Sequence, residues 1–172
     1  MSAPESAKLV RDRDELARIL EREKAAGRRI VFTNGTFDLL HVGHLRSLVD
    51  ARGRGDRLVV AVNSDASVRS YKGPGLPIQP EDERAELLCG LRCVDYVTIF
   101  DEPTVDALLR LLQPNVHAKG TEYDPATIPE RDSVLSYGGE IAIVGDPKAH
   151  STSWLIRRIR EAGSGEDPTT GL

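Results

Sequence analysis

Ile30-Val31-Phe32-Thr33-Asn34-Gly35-Thr36-Phe37-Asp38-Leu39-Leu40-His41-Val42-Gly43-His44 is the stretch that decides the fold. Its first residues are an apolar, strand-like run, Gly35 sets a turn, and helical spacing begins near Gly43. A glycine at such a turn is expected to bend the chain sharply and to let the backbone come close to a ligand without a clash from a Cβ. The helix that follows begins with unpaired N–H groups and a partial positive charge, so an anion is expected there. His41 and His44 stand three residues apart, on one face of that helix and about one turn from each other, and aim at the same point beside the anion. With no Cys, Glu or third His at matching spacing, the pair does not read as a metal site.

Outward from this segment the chain alternates. Helix-like stretches run from Asp12 to Ala26, Gly43 to Arg54, Glu81 to Gly90, Thr104 to Leu112 and Ser153 to Ala162. Strand-like runs lie at Ile30–Thr33, Leu58–Asn63, Tyr96–Phe100, Val116–Ala118 and Ile141–Val144. Asp12 and Glu15 sit like a capping box at the start of the first helix, and Gly27 follows its end. Near-continuous apolar strands between amphipathic helices predict an α/β fold: one Rossmann-like parallel sheet with helices on both faces, whose ligand lies beyond the carboxyl ends of the strands. Lys72-Gly73-Pro74-Gly75-Leu76-Pro77 breaks the pattern and reads as a surface loop able to close as a lid. Residues 9–162 are expected to form a single domain, with residues 1–8 and 163–172 poorly ordered.

With 172 residues, 40% hydrophobic and 29% charged, the chain can bury one substantial core. A net charge of -4, with Lys and Arg dispersed, argues against a nucleic-acid-binding surface and favours small-molecule chemistry. The first residues contain no apolar signal-peptide core, and no run of about 18 apolar residues suggests a membrane span, so a cytoplasmic protein is expected. Cys89 and Cys93 cannot complete a structural zinc site alone and read as thiols.

Gly35-Thr36-Phe37-Asp38 followed by His41-Val42-Gly43-His44 resembles the HxGH signature of the nucleotidyltransferase superfamily, with the lead-in of its cytidylyltransferase-like branch. The segment Asp56–Asp65, Lys72-Gly73, Arg84, Lys119-Gly120-Thr121-Glu122-Tyr123, Gly138-Gly139-Glu140 and Ser151-Thr152-Ser153 recur in the same order in heptose 1-phosphate adenylyltransferases. This resemblance covers about residues 30–160. It implies transfer of AMP from ATP to a sugar 1-phosphate, with Mg²⁺ accompanying the ATP, a separate sugar kinase in the pathway, and a possible homodimer.

The resemblance also implies roles. His41, His44 and Lys72 would be catalytic. Thr33, Asn34, Gly35, Thr36, Phe37, Lys119, Gly120, Ser151 and Thr152 would join the histidines around the nucleotide, with Phe37 contributing backbone while its ring packs inward. Asp38, Asp65, Arg84, Glu122 and Tyr123, with Lys72, would face the acceptor. Some of these residues keep a second reading. Asp38 is as well suited to hold a turn, Arg84 to pair with acids on a solvated helix face, Glu122 and Tyr123 to shape a turn, and Ser151–Ser153 to cap a helix. Two rival functions stand beside this one: a cytidylyltransferase acting on glycerol 3-phosphate, favoured by Gly35-Thr36-Phe37-Asp38, and a nucleotide-binding module without catalysis.

Overall fold

The computed structural model describes residues 7–146 and 152–163. Five strands, β1 (Ile30–Gly35), β2 (Arg57–Asn63), β3 (Tyr96–Phe100), β4 (Val116–Gly120) and β5 (Glu140–Val144), form one sheet in the order β3-β2-β1-β4-β5. Every pairing is parallel. Parallel neighbours need crossovers. α1 (Arg13–Ala25) precedes the sheet, α2 (Val42–Arg52), α3 (Asp65–Lys72), α4 (Glu81–Cys89), α5 (Asp106–Leu112) and α6 (Arg131–Ser136) supply the crossovers, and α7 (Thr152–Gly163) follows the sheet.

Period-two alternation along the strands divides the core between the two faces. In β2, Leu58, Val60 and Val62 pack with Leu48 and Ala51 of α2 and with Ala85, Leu88 and Cys89 of α4. Val59 and Ala61 point the other way, against Leu16 and Leu20 of α1, Leu108, Leu109 and Leu112 of α5 and Val134 of α6. Both faces are therefore covered, which is why β2 runs apolar from Leu58 to Val62 rather than alternately polar.

The strands fall where the apolar runs predict them, with β1 and β4 reaching two residues further than expected. Asp12 caps α1 by accepting from the N–H groups of Asp14 and Glu15, each at 2.8 Å. Ahead of it, the chain adds an extended edge contact: Val10 N–H donates to the Val97 carbonyl, and Val97 N–H to that of Lys8. Two helices were not anticipated, α3 and α6. As a result Lys72 is the last residue of a helix rather than the first of a loop. Gly73 (φ 87°) then ends α3, and Gly75 (φ 95°) follows in the turn; both backbones favour glycine. Among the described residues, no helix is long and apolar enough to cross a membrane. Cys89 and Cys93 are thiols not joined in a disulfide.

Candidate active site

The chain runs outward from β1 to β2 and β3, then returns to place β4 on the other side of β1. This reversal is where ligands bind in open parallel sheets. The register shows how the crevice opens. β1 and β2 match over six residue pairs, whereas β1 and β4 match only at Val31 with Val116 and at Phe32 with His117. Beyond that point β1 and β4 part, and a cleft of about 600 Å³ lies over their ends, a size that accommodates a small ligand.

Thr33, Asn34, Gly35, Thr36, Phe37, Asp38, His41, His44, Lys72, Lys119, Gly120, Glu122, Tyr123 and Thr152 all border this cleft. Asp65 and Arg84 do not. Ser151 lies outside the described residues.

The turn after β1 is built differently from expectation. The left-handed residues are Phe37 (φ 50°) and Leu39 (φ 49°), not Gly35. A Cβ on Gly35 would stand 3.2 Å from Cε2 of Phe37, so the glycine makes room for that ring. The ring is 8% exposed and belongs to the core, in keeping with the inward packing expected of it. Glycine at position 35 thus serves close packing beside the cleft rather than a positive φ.

His41 is the N-cap of α2, with extended backbone. Its Nδ1 accepts a long hydrogen bond, 3.4 Å, from the N–H of His44, so the neutral ring carries its proton on Nε2. The two imidazoles stack, with centroids 3.8 Å apart and planes 20° from parallel. Phe37 lies 5.4 Å from the His44 ring on a tilted plane. Burial pushes the His44 pKa down to about 4; His41 and Lys72 act in the same direction and Asp38 opposes them. His44 is therefore a neutral imidazole near pH 7, and its buried Nδ1 has no hydrogen-bond partner among the described residues.

Asp38 is 4% exposed. Its carboxylate accepts from the N–H groups of Ile78 at 2.8 Å and Gln79 at 3.0 Å, and the Gln79 side chain accepts from the N–H of Leu39. These bonds pin the far end of the Gly73–Pro77 loop to the turn that follows β1. Lys72 approaches from α3, and partial desolvation lowers its pKa, with Asp38 opposing and Arg84 reinforcing the shift. Thr36 Oγ1 and the hydroxyl of Tyr71 are 2.8 Å apart, which ties α3 to the same turn.

Arg84 shows the largest difference from a reading as a solvated helix residue. It is 0% exposed. Its guanidinium donates to the carbonyls of Gln79 (2.9 Å) and Thr36 (2.5 Å) and to the carboxylate of Asp65 (2.7 Å). The planar fork of arginine can hold three such acceptors at once, which a lysine cannot. Arg84 and Asp65 hence brace the turn and the α3 start without lining the cleft.

Across the switch point, Asn34 Oδ1 sits 3.2 Å from both Lys119 Nζ and His117 Nε2. Lys119 is 5% exposed, and its ammonium lies 3.4 Å from Glu130 Oε1 and 4.8 Å from the Tyr123 ring centre. Desolvation lowers the Lys119 pKa, partly offset by Glu130 and Glu122. At Gly120 an added Cβ would overlap the Glu122 carboxylate. Thr152, at the start of α7, donates its hydroxyl to the Asp38 carbonyl at 2.7 Å. That bond fixes the helix start beside the histidine turn.

Tyr71, Glu130 and Arg46 also border the cleft, and sequence reasoning passed over all three. Tyr71 belongs to a helix that was not expected. Glu130 sits in Glu130-Arg131-Asp132, which reads as a solvated charge run. Only the identity of the neighbouring Lys72 could have drawn attention to Tyr71, and nothing local marks Glu130.

Among the described residues, no group of three His, Cys, Asp or Glu side chains converges as a metal site. The carboxylates of Asp38 and Asp65 are taken up by Ile78 and Gln79 and by Arg84, and Glu130 is paired with Lys119 through one of its oxygens. A divalent ion would thus find its ligands on a bound triphosphate and water more than on these side chains, as Mg²⁺ commonly does.

Residues 32–150 match a family model described as cytidylyltransferase-like. Among curated proteins, the chain is 49% identical over 152 residues to the bifunctional protein HldE of Pelobacter propionicus, covering 88% of this chain and 31% of that protein. It is 48% identical over 157 residues to the bifunctional protein HldE of Geotalea uraniireducens, covering 91% and 32%. The chain spans about a third of the length of these relatives. A crystal structure titled as a lipopolysaccharide core biosynthesis protein from Thermoplasma volcanium superposes with a TM-score of 0.62 at 27% identity, covering 71% of this chain and all of that one.

Proposed function

We propose, since the chain belongs to the cytidylyltransferase-like family and is a nucleotidyltransferase, that it transfers AMP from ATP to a sugar 1-phosphate, most specifically D-glycero-D-manno-heptose 1-phosphate, giving ADP-heptose and pyrophosphate. The observation that carries this reading is the stacked His41–His44 pair beside the parted ends of β1 and β4.

The acceptor phosphate is already ionised near neutral pH, so the chain needs no general base to create the nucleophile. One of its oxygens attacks the α-phosphorus, the bond from that phosphorus to the β-phosphate's bridging oxygen breaks, and pyrophosphate carries away the electron pair. The protein's task is alignment and charge stabilisation. His41, with its proton on Nε2, and neutral His44 each offer one N–H to the α-phosphate oxygens as charge spreads toward the leaving group. A neutral His44 suits this role, because it stabilises the oxygens without surrendering a proton. Lys72, at the edge of a loop tied down through Asp38, supplies a cation that approaches the acceptor phosphate. Thr33 to Phe37 and Thr152 border the space for the other phosphates. Mg²⁺ arriving with ATP would neutralise part of the triphosphate charge.

The heptose assignment is supported by the Lys119–Tyr123 and Gly138–Glu140 segments, and by likeness to a protein titled for lipopolysaccharide core biosynthesis. A sugar kinase acting earlier, a cytoplasmic setting and a homodimer belong to the same proposal; light scattering over a concentration series tests the last. The function itself is tested by pyrophosphate release with ATP or CTP, each crossed with heptose 1-phosphate and glycerol 3-phosphate. Turnover is expected with ATP and the heptose. Activity confined to CTP, or nucleotide binding without turnover on any acceptor, contradicts it.

A further inference from the structure

Lys119 sits at the carboxyl end of β4, where an ammonium would ordinarily be read as a phosphate clamp. Its surroundings argue otherwise. Glu130 precedes α6, yet its side chain makes no cap bond to that helix and turns inward instead. It is 7% exposed and borders the cleft, with Oε1 3.4 Å from Lys119 Nζ. Its other oxygen, Oε2, is buried with no hydrogen-bond partner among the described residues. A buried carboxylate oxygen without a donor is costly, and natural structures rarely leave one unless something else supplies the bond.

The charges decide what that something is. Glu130 neutralises Lys119, so the pair offers little net attraction to an anion, and a phosphate beside Oε2 would meet a like charge in a poorly solvated place. A neutral group that donates to Oε2 and accepts from Nζ fits both. Two adjacent hydroxyls do so, one as donor and one as acceptor, and carboxylates hold sugar diols in this way elsewhere. Behind the pair, Asn34 Oδ1 accepts from Lys119 and from His117 Nε2, which holds the ammonium in place. Tyr123, on an exposed turn and 42% exposed itself, covers the pair from the cleft side with its ring 4.8 Å from Nζ. An exposed side chain of this kind changes rotamer readily, so a ligand reaches the pair by displacing the ring.

We propose that Lys119 and Glu130 form a subsite for a vicinal diol, Glu130 Oε2 accepting from one hydroxyl and Lys119 Nζ donating to the other. Both substrates of the proposed reaction carry such a diol, the ribose of the nucleotide and the acceptor sugar, and this inference rests on that reading. Calorimetric binding to the intact chain separates the sources: ATP against 2′-deoxy-ATP and 3′-deoxy-ATP, and heptose 1-phosphate against its singly deoxygenated forms.

On the unaltered protein, one deoxygenated probe is expected to bind roughly 10- to 100-fold more weakly than its parent, the scale of one hydrogen bond to a charged group. Loss on the nucleotide series assigns the diol to ribose, and loss on the acceptor series assigns it to the sugar. That penalty should shrink to about twofold or less in Glu130→Gln, which keeps the packing and an acceptor for Lys119 but turns a donor toward the ligand. Three results overturn the proposal: no deoxygenated probe losing more than about threefold, a penalty of unchanged size in Glu130→Gln, or an effect of that substitution that follows the base rather than the hydroxyls. Binding is read without turnover, and CTP with its deoxy forms replaces ATP should ATP not bind. A failure of the adenylyl-transfer reading, seen in pyrophosphate release, is thereby told apart from a failure of this one.

Discussion

At the scale of single residues, the site depends on His44, an imidazole kept neutral by burial, stacked on His41. Removing one preorganised donor to a developing charge commonly lowers turnover by about 10²–10³. His41→Ala and His44→Ala are each expected to do so in a pyrophosphate-release assay with little change in nucleotide affinity; a drop below about fivefold removes them from the chemistry. Burial also links these rings to stability. His44 is pushed from the ordinary 6.5 down to about 4, and His117, which is 0% exposed and lies beside Lys119, down to about 3. Their unfolded forms take up protons near pH 6.5 while the native forms do not. The stability they contribute is present above that pH and is lost as pH falls, through about 4 for His44 and about 3 for His117. Each ring should contribute a slope of ~1.4 kcal/mol per pH unit within its window. Urea unfolding at pH 7, 6 and 5 should show a falling midpoint, and His117→Gln should flatten that fall. An unchanged slope in the variant would remove His117 as its source.

At the scale of elements, Arg84 joins three segments: the turn after β1 through Thr36, the start of α3 through Asp65, and the start of α4 through Gln79. Breaking a buried ion pair by removing one partner costs about 3–5 kcal/mol. Arg84→Ala is therefore expected to lower the urea midpoint severely, and Arg84→Lys to recover only part of the loss because one ammonium cannot reach all three acceptors. A variant as stable as the parent would mean the three bonds carry nothing. Gly145, after β5, offers a second test. Its φ is 91°, and an added Cβ would overlap the Ser47 hydroxyl of α2. Gly145→Ala should lower the melting temperature through both strain and overlap, and adding Ser47→Gly should restore the part due to overlap.

These elements also show how far the sequence could be read. β2 was legible because Leu58 to Val62 is apolar without interruption, and α1 because Asp12 caps a stretch carrying Leu16 and Leu20. α3 escaped because Asp65–Lys72 is short, mostly polar and runs into a glycine-proline loop; beside its local Ser64 cap, it is held by distant contacts to Thr36 and Arg84 that its own pattern does not show. Arg84 was read as a contact to the acceptor substrate, with pairing on a solvated helix face as the second reading; its bracing role escaped because Glu81-Asp82-Glu83-Arg84 is uniformly charged and its hydrogen-bond acceptors Thr36 and Asp65 lie 48 and 19 residues away. In the cleft, the glycine turn and histidine pair were visible in one short stretch. Glu130 was not, since its meaning depends on Lys119 lying across a loop.

For the whole molecule, the sheet order places the ends of β1 and β4 side by side with little pairing between them, and every element that brings a residue to the cleft converges there. The account's central claim is that this opening holds a triphosphate against the two stacked rings. The most direct test is a crystal structure with a non-hydrolysable ATP analogue bound. The α-phosphate is expected within hydrogen-bond distance of a ring nitrogen of His41 or His44; a triphosphate seated elsewhere, with both rings turned away from it, would contradict the account.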